Sequence, residues 1–111
     1  MVEYASPEKE AKSIGAVTVA AHPFREFGLG NLARNYKFDA VEVLNGNSSA
    51  AENNEAKALA QSMGLPGTAG SDAHQLSELF SVNLKIDAEL SVDEVLKGIK
   101  KGYTSAQVTR R

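Results

Sequence analysis

The order of strand-like and helix-like stretches constrains this chain most. Ala16 to Ala21, Phe38 to Leu44 and Gly67 to Gly70 read as strands, and a segment of helical character lies between each pair. The first run is almost wholly apolar, the pattern of a parallel strand covered on both faces. The second is rich in branched residues and stops at Asn45-Gly46-Asn47, a turn signal. The third is tight and carries little side-chain bulk. Between the first two, Leu29, Leu32, Ala33 and Tyr36 fall at i, i+3, i+4 and i+7, which predicts a short amphipathic helix. Between the second and third, Ser49 and Glu52 form a capping box, Ala56, Leu59, Ala60 and Met63 keep a helical stripe, and Gly64 before Leu65-Pro66 ends it. Ahead of all three strands, Ser6 is an N-cap candidate, Pro7 and Glu8 suit a first helical turn, and Gly15 closes that helix. Strands alternating with helices imply a mainly parallel sheet with right-handed crossovers, an α/β fold of alternating βα units.

The remainder extends that pattern. Leu76 to Phe80 reads as one helical turn and Val82 to Ile86 as a half-exposed strand. Ser91 and Glu94 repeat the capping box, with Val92, Val95, Leu96 and Ile99 on one face. Lys97, Lys100 and Lys101 crowd the negative end of that helix, and Gly102 terminates it. Tyr103 to Val108 reads as a last edge strand, followed by Arg110 and Arg111 as a tail. No repeat or linker interrupts the 111 residues, so 1–111 is taken as a single domain with one core.

In open α/β sheets and in barrels, ligands bind at the carboxyl ends of the strands. Parallel strands here put three chemistry-bearing stretches on that edge: His22 after the first, Asn45 after the second, and Asp72 with His74 after the third. An extended backbone would face Asp72 and His74 to the same side, where one divalent cation could meet both. There is no cysteine, so a metal would be held by nitrogen and oxygen. Each residue also has a plainer explanation. His22 alone suits a turn or a core position, and Asp72 suits the N-cap of the turn that follows. Arg25 either clamps a phosphate or packs its stem on Phe24 or Phe27. Glu42 either orients a ligand or pairs with a lysine, and Asn45 either donates to a substrate oxygen or belongs to an ordinary Asn-Gly turn.

Composition closes off other functions. Charged residues make up 23% and the formal net charge is -2, without the basic surplus of a duplex binder. No apolar run approaches membrane length and no signal peptide is visible, which leads to the expectation of a cytoplasmic protein.

The stretches Ala21-His22-Pro23-Phe24-Arg25, Val41-Glu42-Val43-Leu44-Asn45-Gly46, the alanine-bearing segment Asn53 to Leu65, and Gly70-Ser71-Asp72-Ala73-His74 resemble the carboxyl-terminal part of the polymerase and histidinol phosphatase (PHP) family of metal-dependent phosphoesterases. The resemblance runs from about Gly15 to His74 and more loosely to Gly102. It implies the carboxyl-terminal half of a distorted (β/α) barrel, with His22, Asp72 and His74 as ligands to divalent ions such as zinc, manganese or iron. Arg25 would then serve the phosphate of a phosphorylated small molecule or nucleotide, with Glu42 and Asn45 behind the ligands. Family members use two or three metals and carry a His-x-His pair on the first strand, which this chain lacks. Two imidazoles and one carboxylate would leave a cation a free position for water, a hydrolytic arrangement in principle. The chain is therefore expected to be a fragment of a longer phosphoesterase, inactive alone, or else a noncatalytic PHP-like module that binds a ligand or partner. Removing the first barrel strands would bare the edge near Val17 to Ala21. Either a homodimer forms there or Tyr103 to Val108 folds back to cap it.

Overall fold

The structure is a computed structural model and describes residues 7–109. Ser6, Arg110 and Arg111 lie outside the described residues, so the cap and tail assigned to them are not addressed. Helix α1 (Pro7–Ser13) leads to the two-residue strand β1 (Val19–Ala20). Strand β2 (Ala40–Asn45), helix α2 (Ala50–Met63) and strand β3 (Gly67–Gly70) follow. The chain finishes with β4 (Val82–Ile86), α3 (Val92–Lys101) and β5 (Thr104–Val108). Strands β1, β2 and β3 form a parallel sheet in that order, as alternation implies. The architecture is α/β, and among the described residues no barrel closes.

Strand β4 pairs antiparallel with β5 in a separate two-stranded sheet, from Val82 opposite Val108 to Ile86 opposite Thr104. This unit sits on the β3 side, where the Thr104 hydroxyl donates to the Gly67 carbonyl at 3.0 Å. β5 therefore does not fold back on β1, as one expectation had it. The ladder closes where the Asp87 N–H donates to the Tyr103 carbonyl at 2.9 Å, so α3 is an excursion between two antiparallel strands and not the crossover of another parallel pair.

Helix α2 is built as its sequence dictates. The Ser49 hydroxyl accepts from the Glu52 N–H at 3.1 Å, and the Glu52 carboxylate accepts from the Ser49 N–H at 2.7 Å, so two end donors are satisfied reciprocally. At the far end Gly64 adopts φ 68 and the Leu65 N–H reaches the Ala60 carbonyl, a left-handed termination. Ala56, Leu59 and Ala60 are the buried face. Leu59 and Ala60 pack with Ala20, Ala33 and Val41 in one core cluster, flanked by Phe24, Phe38, Val43, Met63 and Leu65. In α3 only half of the expected box forms: the Ser91 hydroxyl accepts from Glu94 N–H, while the Ser91 N–H turns to the Glu89 carbonyl.

Two elements differ from their sequence patterns. The apolar run Ala16 to Ala21 supplies only two ladder residues, paired as Val19 with Ala40 and Ala20 with Val41. On one side the Asp39 carboxylate takes the Thr18 N–H at 2.9 Å, and on the other His22 turns to φ 24 just before Pro23. The stretch expected to be an amphipathic helix is a 3₁₀ helix, Gly30–Asn35, in which Ala33 alone is buried. Leu32 is 60% exposed, so the i, i+3 spacing serves a three-residue turn without a core-facing stripe. Among the described residues no helix is long and apolar enough to cross a membrane.

Candidate functional site

The site begins with an irregularity in β2. Val41 pairs with Gly67 and Glu42 with Thr68, but the next partners are Leu44 with Ala69 and Asn45 with Gly70, so Val43 is an extra residue in the ladder. In a regular strand Glu42 and Asn45, three apart, would point to opposite faces. The bulge brings them together, and the Asn45 amide donates to Glu42 Oε1 at 2.7 Å. Two glycines of β3 make room for it. A Cβ on Gly67 would press on the Val43 side chain, and one on Gly70 would stand 2.8 Å from Glu42 Oε2.

Glu42 then reaches across to β1. Its Oε1 also accepts the His22 N–H at 3.0 Å, which ties the histidine's backbone to the sheet edge. No lysine pairs with Glu42 among the described residues. Asn45 is 2% exposed. Its Oδ1 accepts from the Asn47 N–H, and its amide stands 3.4 Å from Asp72 Oδ2. Beyond the ladder, the Asn53 side chain substitutes for a neighbouring strand: Oδ1 accepts the Asn45 N–H at 3.0 Å, and Nδ2 donates to the Asn45 carbonyl at 3.3 Å.

Asp72 and His74 meet by a turn and not by extension. Asp72 takes φ 51, a left-handed conformation that an aspartate tolerates better than most residues. The His74 Nδ1 lies 2.8 Å from the Asp72 carbonyl oxygen. A protonated Nδ1 donating there leaves Nε2 as the lone-pair nitrogen. Asp72 does not cap the turn that follows. The 3₁₀ turn Leu76–Glu78 has Gln75 at its N-cap, and no side chain caps it. Asp72 Oδ2 instead accepts Arg25 NH1 at 2.7 Å, an ion pair about one-third exposed on the arginine side. Thus Arg25 bridges the first and third strand ends.

Sequence reasoning passed over two residues that hold this loop. The Asn47 amide donates both to the Asp72 carbonyl and, at 3.1 Å, to Glu78 Oε1. Glu78 Oε1 also accepts the His74 N–H at 3.1 Å. The His74 backbone N–H, followed by the Asn47 amide, holds the Glu78 carboxyl below its ordinary value of 4.5. The alternation of asparagines at 45 and 47 was the available signal, since residues two apart near a strand end serve one side.

His22, Arg25, Glu26, Phe27, Asp72 and His74 line one pocket of about 290 Å³. A larger cleft of about 500 Å³ beside α2 and β5 has no histidine or acidic side chain in its wall, whereas both histidines of the chain line the small pocket. The His22 Nδ1 is buried and has no hydrogen-bond partner among the described residues, a state that a ligand would relieve. The donor types therefore suit a divalent cation. Their arrangement does not: among the described residues no three His, Cys, Asp or Glu side chains are grouped to hold a metal ion, and Arg25 occupies the Asp72 carboxylate.

Residues 50–104 match the family model described as PHP-associated. That match supports a relation to the carboxyl-terminal part of PHP-family proteins. The PHP-associated match begins at the first residue of α2 and ends at the first residue of β5. It includes Asp72 and His74, while His22, Arg25, Glu42 and Asn45 lie before it and are joined to it by the contacts described above. A comparison with curated proteins gives no match.

Proposed function

We propose that this chain supplies one side of the site of a PHP-family metal-dependent phosphoesterase, with His22, Asp72 and His74 as a partial ligand set and Arg25 at the place of the substrate phosphate. The observation that supports this reading is the convergence of those four residues, from two separate strand ends, on one pocket at the carboxyl edge of a parallel sheet. Two imidazoles and a carboxylate are too few for a multinuclear centre. The remaining ligands belong to sequence outside these residues or to a second chain. Glu42 and Asn45 hold His22 and Asp72 in register and touch no substrate themselves. The substrate is a phosphorylated small molecule or nucleotide, and the setting is the cytoplasm.

A second reading, a noncatalytic PHP-like module, is favoured by one feature: the carboxylate needed for a metal is already paired with Arg25. Hydrolysis of p-nitrophenyl phosphate with added manganese or zinc tests the partial-site reading. The chain alone should turn over at a rate near the uncatalysed background, with Asp72→Asn making no further difference. Robust turnover that Asp72→Asn abolishes would show that the chain holds a complete catalytic centre, and would overturn it.

A further inference from the structure

Helix α3 seats on the rest of the chain through Gly98, its one buried residue. A Cβ there would stand 3.0 Å from Ile86 Cγ2 and 3.4 Å from Ala88 Cβ. So close a seat fixes the rotation of the helix, and its apolar stripe cannot turn inward. Val92, Val95, Leu96 and Ile99 run along the neighbouring face. Val92 is 75% exposed, and Leu90, just before the helix, is fully exposed. With Ser91, Val95 and Leu96 these two line a shallow groove of about 410 Å³. The charges beside the stripe say what fits it. Lys97 and Glu94 pair with each other at 3.4 Å, whereas Asp93 and Lys100 make no ion pair among the described residues. Asp93, Leu96 and Lys100 fall at i, i+3 and i+7, so an acid and a base lie two turns apart on one border of the stripe. A second α3 laid antiparallel across the stripe brings like borders together and sets each Asp93 opposite the other copy's Lys100. The ends also match, because Asp93 and Glu94 open the helix while Lys100 and Lys101 close it. A parallel pair would set like charges side by side.

We infer that α3 is a self-association face, on which a second copy of this chain docks through a two-fold, antiparallel pairing of the two helices. Val92, Val95 and Leu96 meet their counterparts, and Asp93 and Lys100 form two reciprocal ion pairs across the border. The stripe is far smaller than the roughly 800 Å² per partner of a stable interface, so the pair is weak and forms at high concentration. This face shares no residue with the groove beside β1, and either contact forms without the other.

Methyl NMR of the full chain tests this, with the Val92, Val95 and Leu96 signals followed up to about 1 mM protein. The Val19 methyls report the β1 edge separately. The expected result is that the α3 signals move with concentration. Asp93→Lys alone and Lys100→Glu alone each set like charges opposite one another and should weaken the association roughly tenfold. An equal mixture of the two variants restores both opposite-charge contacts and should associate as the unaltered chain does. Signals of the unaltered chain that stay fixed with concentration, or an association that both charge reversals leave unchanged, would overturn the inference. Signals fixed with concentration but broadened by phosphatidylglycerol vesicles would assign the face to a lipid surface and overturn it likewise. If a variant does not fold, a mixed-label sample of the unaltered chain decides. Nuclear Overhauser contacts from Val92 of one copy to Ile99 of another support the antiparallel pair, and their absence, or contacts from Val92 to Val92, refutes it.

Discussion

The Glu42 carboxylate accepts from His22 and Asn45 at once, at 3.0 and 2.7 Å, because a bulge re-aims it and Gly70 leaves it space. Residue types at the rim were legible in sequence, since His22, Asp72 and His74 all follow strand-like runs and all line one pocket. Their connections were not. A bulge has no sequence mark in Val41-Glu42-Val43-Leu44, and the left-handed turn at Asp72 overrides the extended geometry that i, i+2 spacing assumes. Likewise the local sequence around Arg25 offers a phosphate or an apolar neighbour, while its actual partner, 47 residues away, is a consequence of the fold. Glu78 gives a pH prediction at this scale. Its pKa is lowered in the folded chain, so its anchoring of His74 and Asn47 contributes stability above the ordinary value of 4.5 and loses it as pH falls through the lowered value. Amide exchange at His74 should therefore accelerate selectively in that acid range, and in Glu78→Gln the selective acceleration should vanish. An unchanged acid response in the variant would assign the loosening to another group.

At the scale of elements, α2 was readable to within a residue because each of its ends is encoded locally, by Ser49 with Glu52 and by Gly64. Strand β1 was not, because what shortens it is a side chain from another segment, Asp39, capturing the Thr18 N–H. The 3₁₀ helix Gly30–Asn35 shows a different limit: periodicity proposes a buried face, but burial needs something to pack against, and Leu32 has little. Gly64 offers a clean test of the local encoding. It holds φ 68, and a Cβ there would meet nothing within 4 Å, so Gly64→Ala isolates the cost of a left-handed backbone. The variant should lose about 1 kcal/mol in urea unfolding with an unchanged slope. A loss near zero would mean that the helix end refolds into another termination.

For the molecule as a whole, the parallel sheet and the convergence on one edge follow from the alternation of elements, while the β4–β5 sheet depends on long-range pairing that no local pattern specifies. Among the described residues no strand pairs with the outer side of β1. Val19 is 36% exposed there, beside a groove walled by Pro7, Leu29, Tyr36 and Phe38. An uncovered strand edge next to apolar surface invites pairing. Sedimentation should show concentration-dependent dimers in which the Val19 and Ala20 amides gain exchange protection. A monomer at all concentrations would contradict this. The central proposal, that the pocket of His22, Asp72 and His74 is part of a cation site completed by further ligands, is tested most directly by following the imidazole nitrogens of both histidines by NMR during a zinc titration. The account predicts that the His22 and His74 resonances move together along one binding curve, and that Asp72→Asn weakens that curve for both. A shift confined to one imidazole would contradict it.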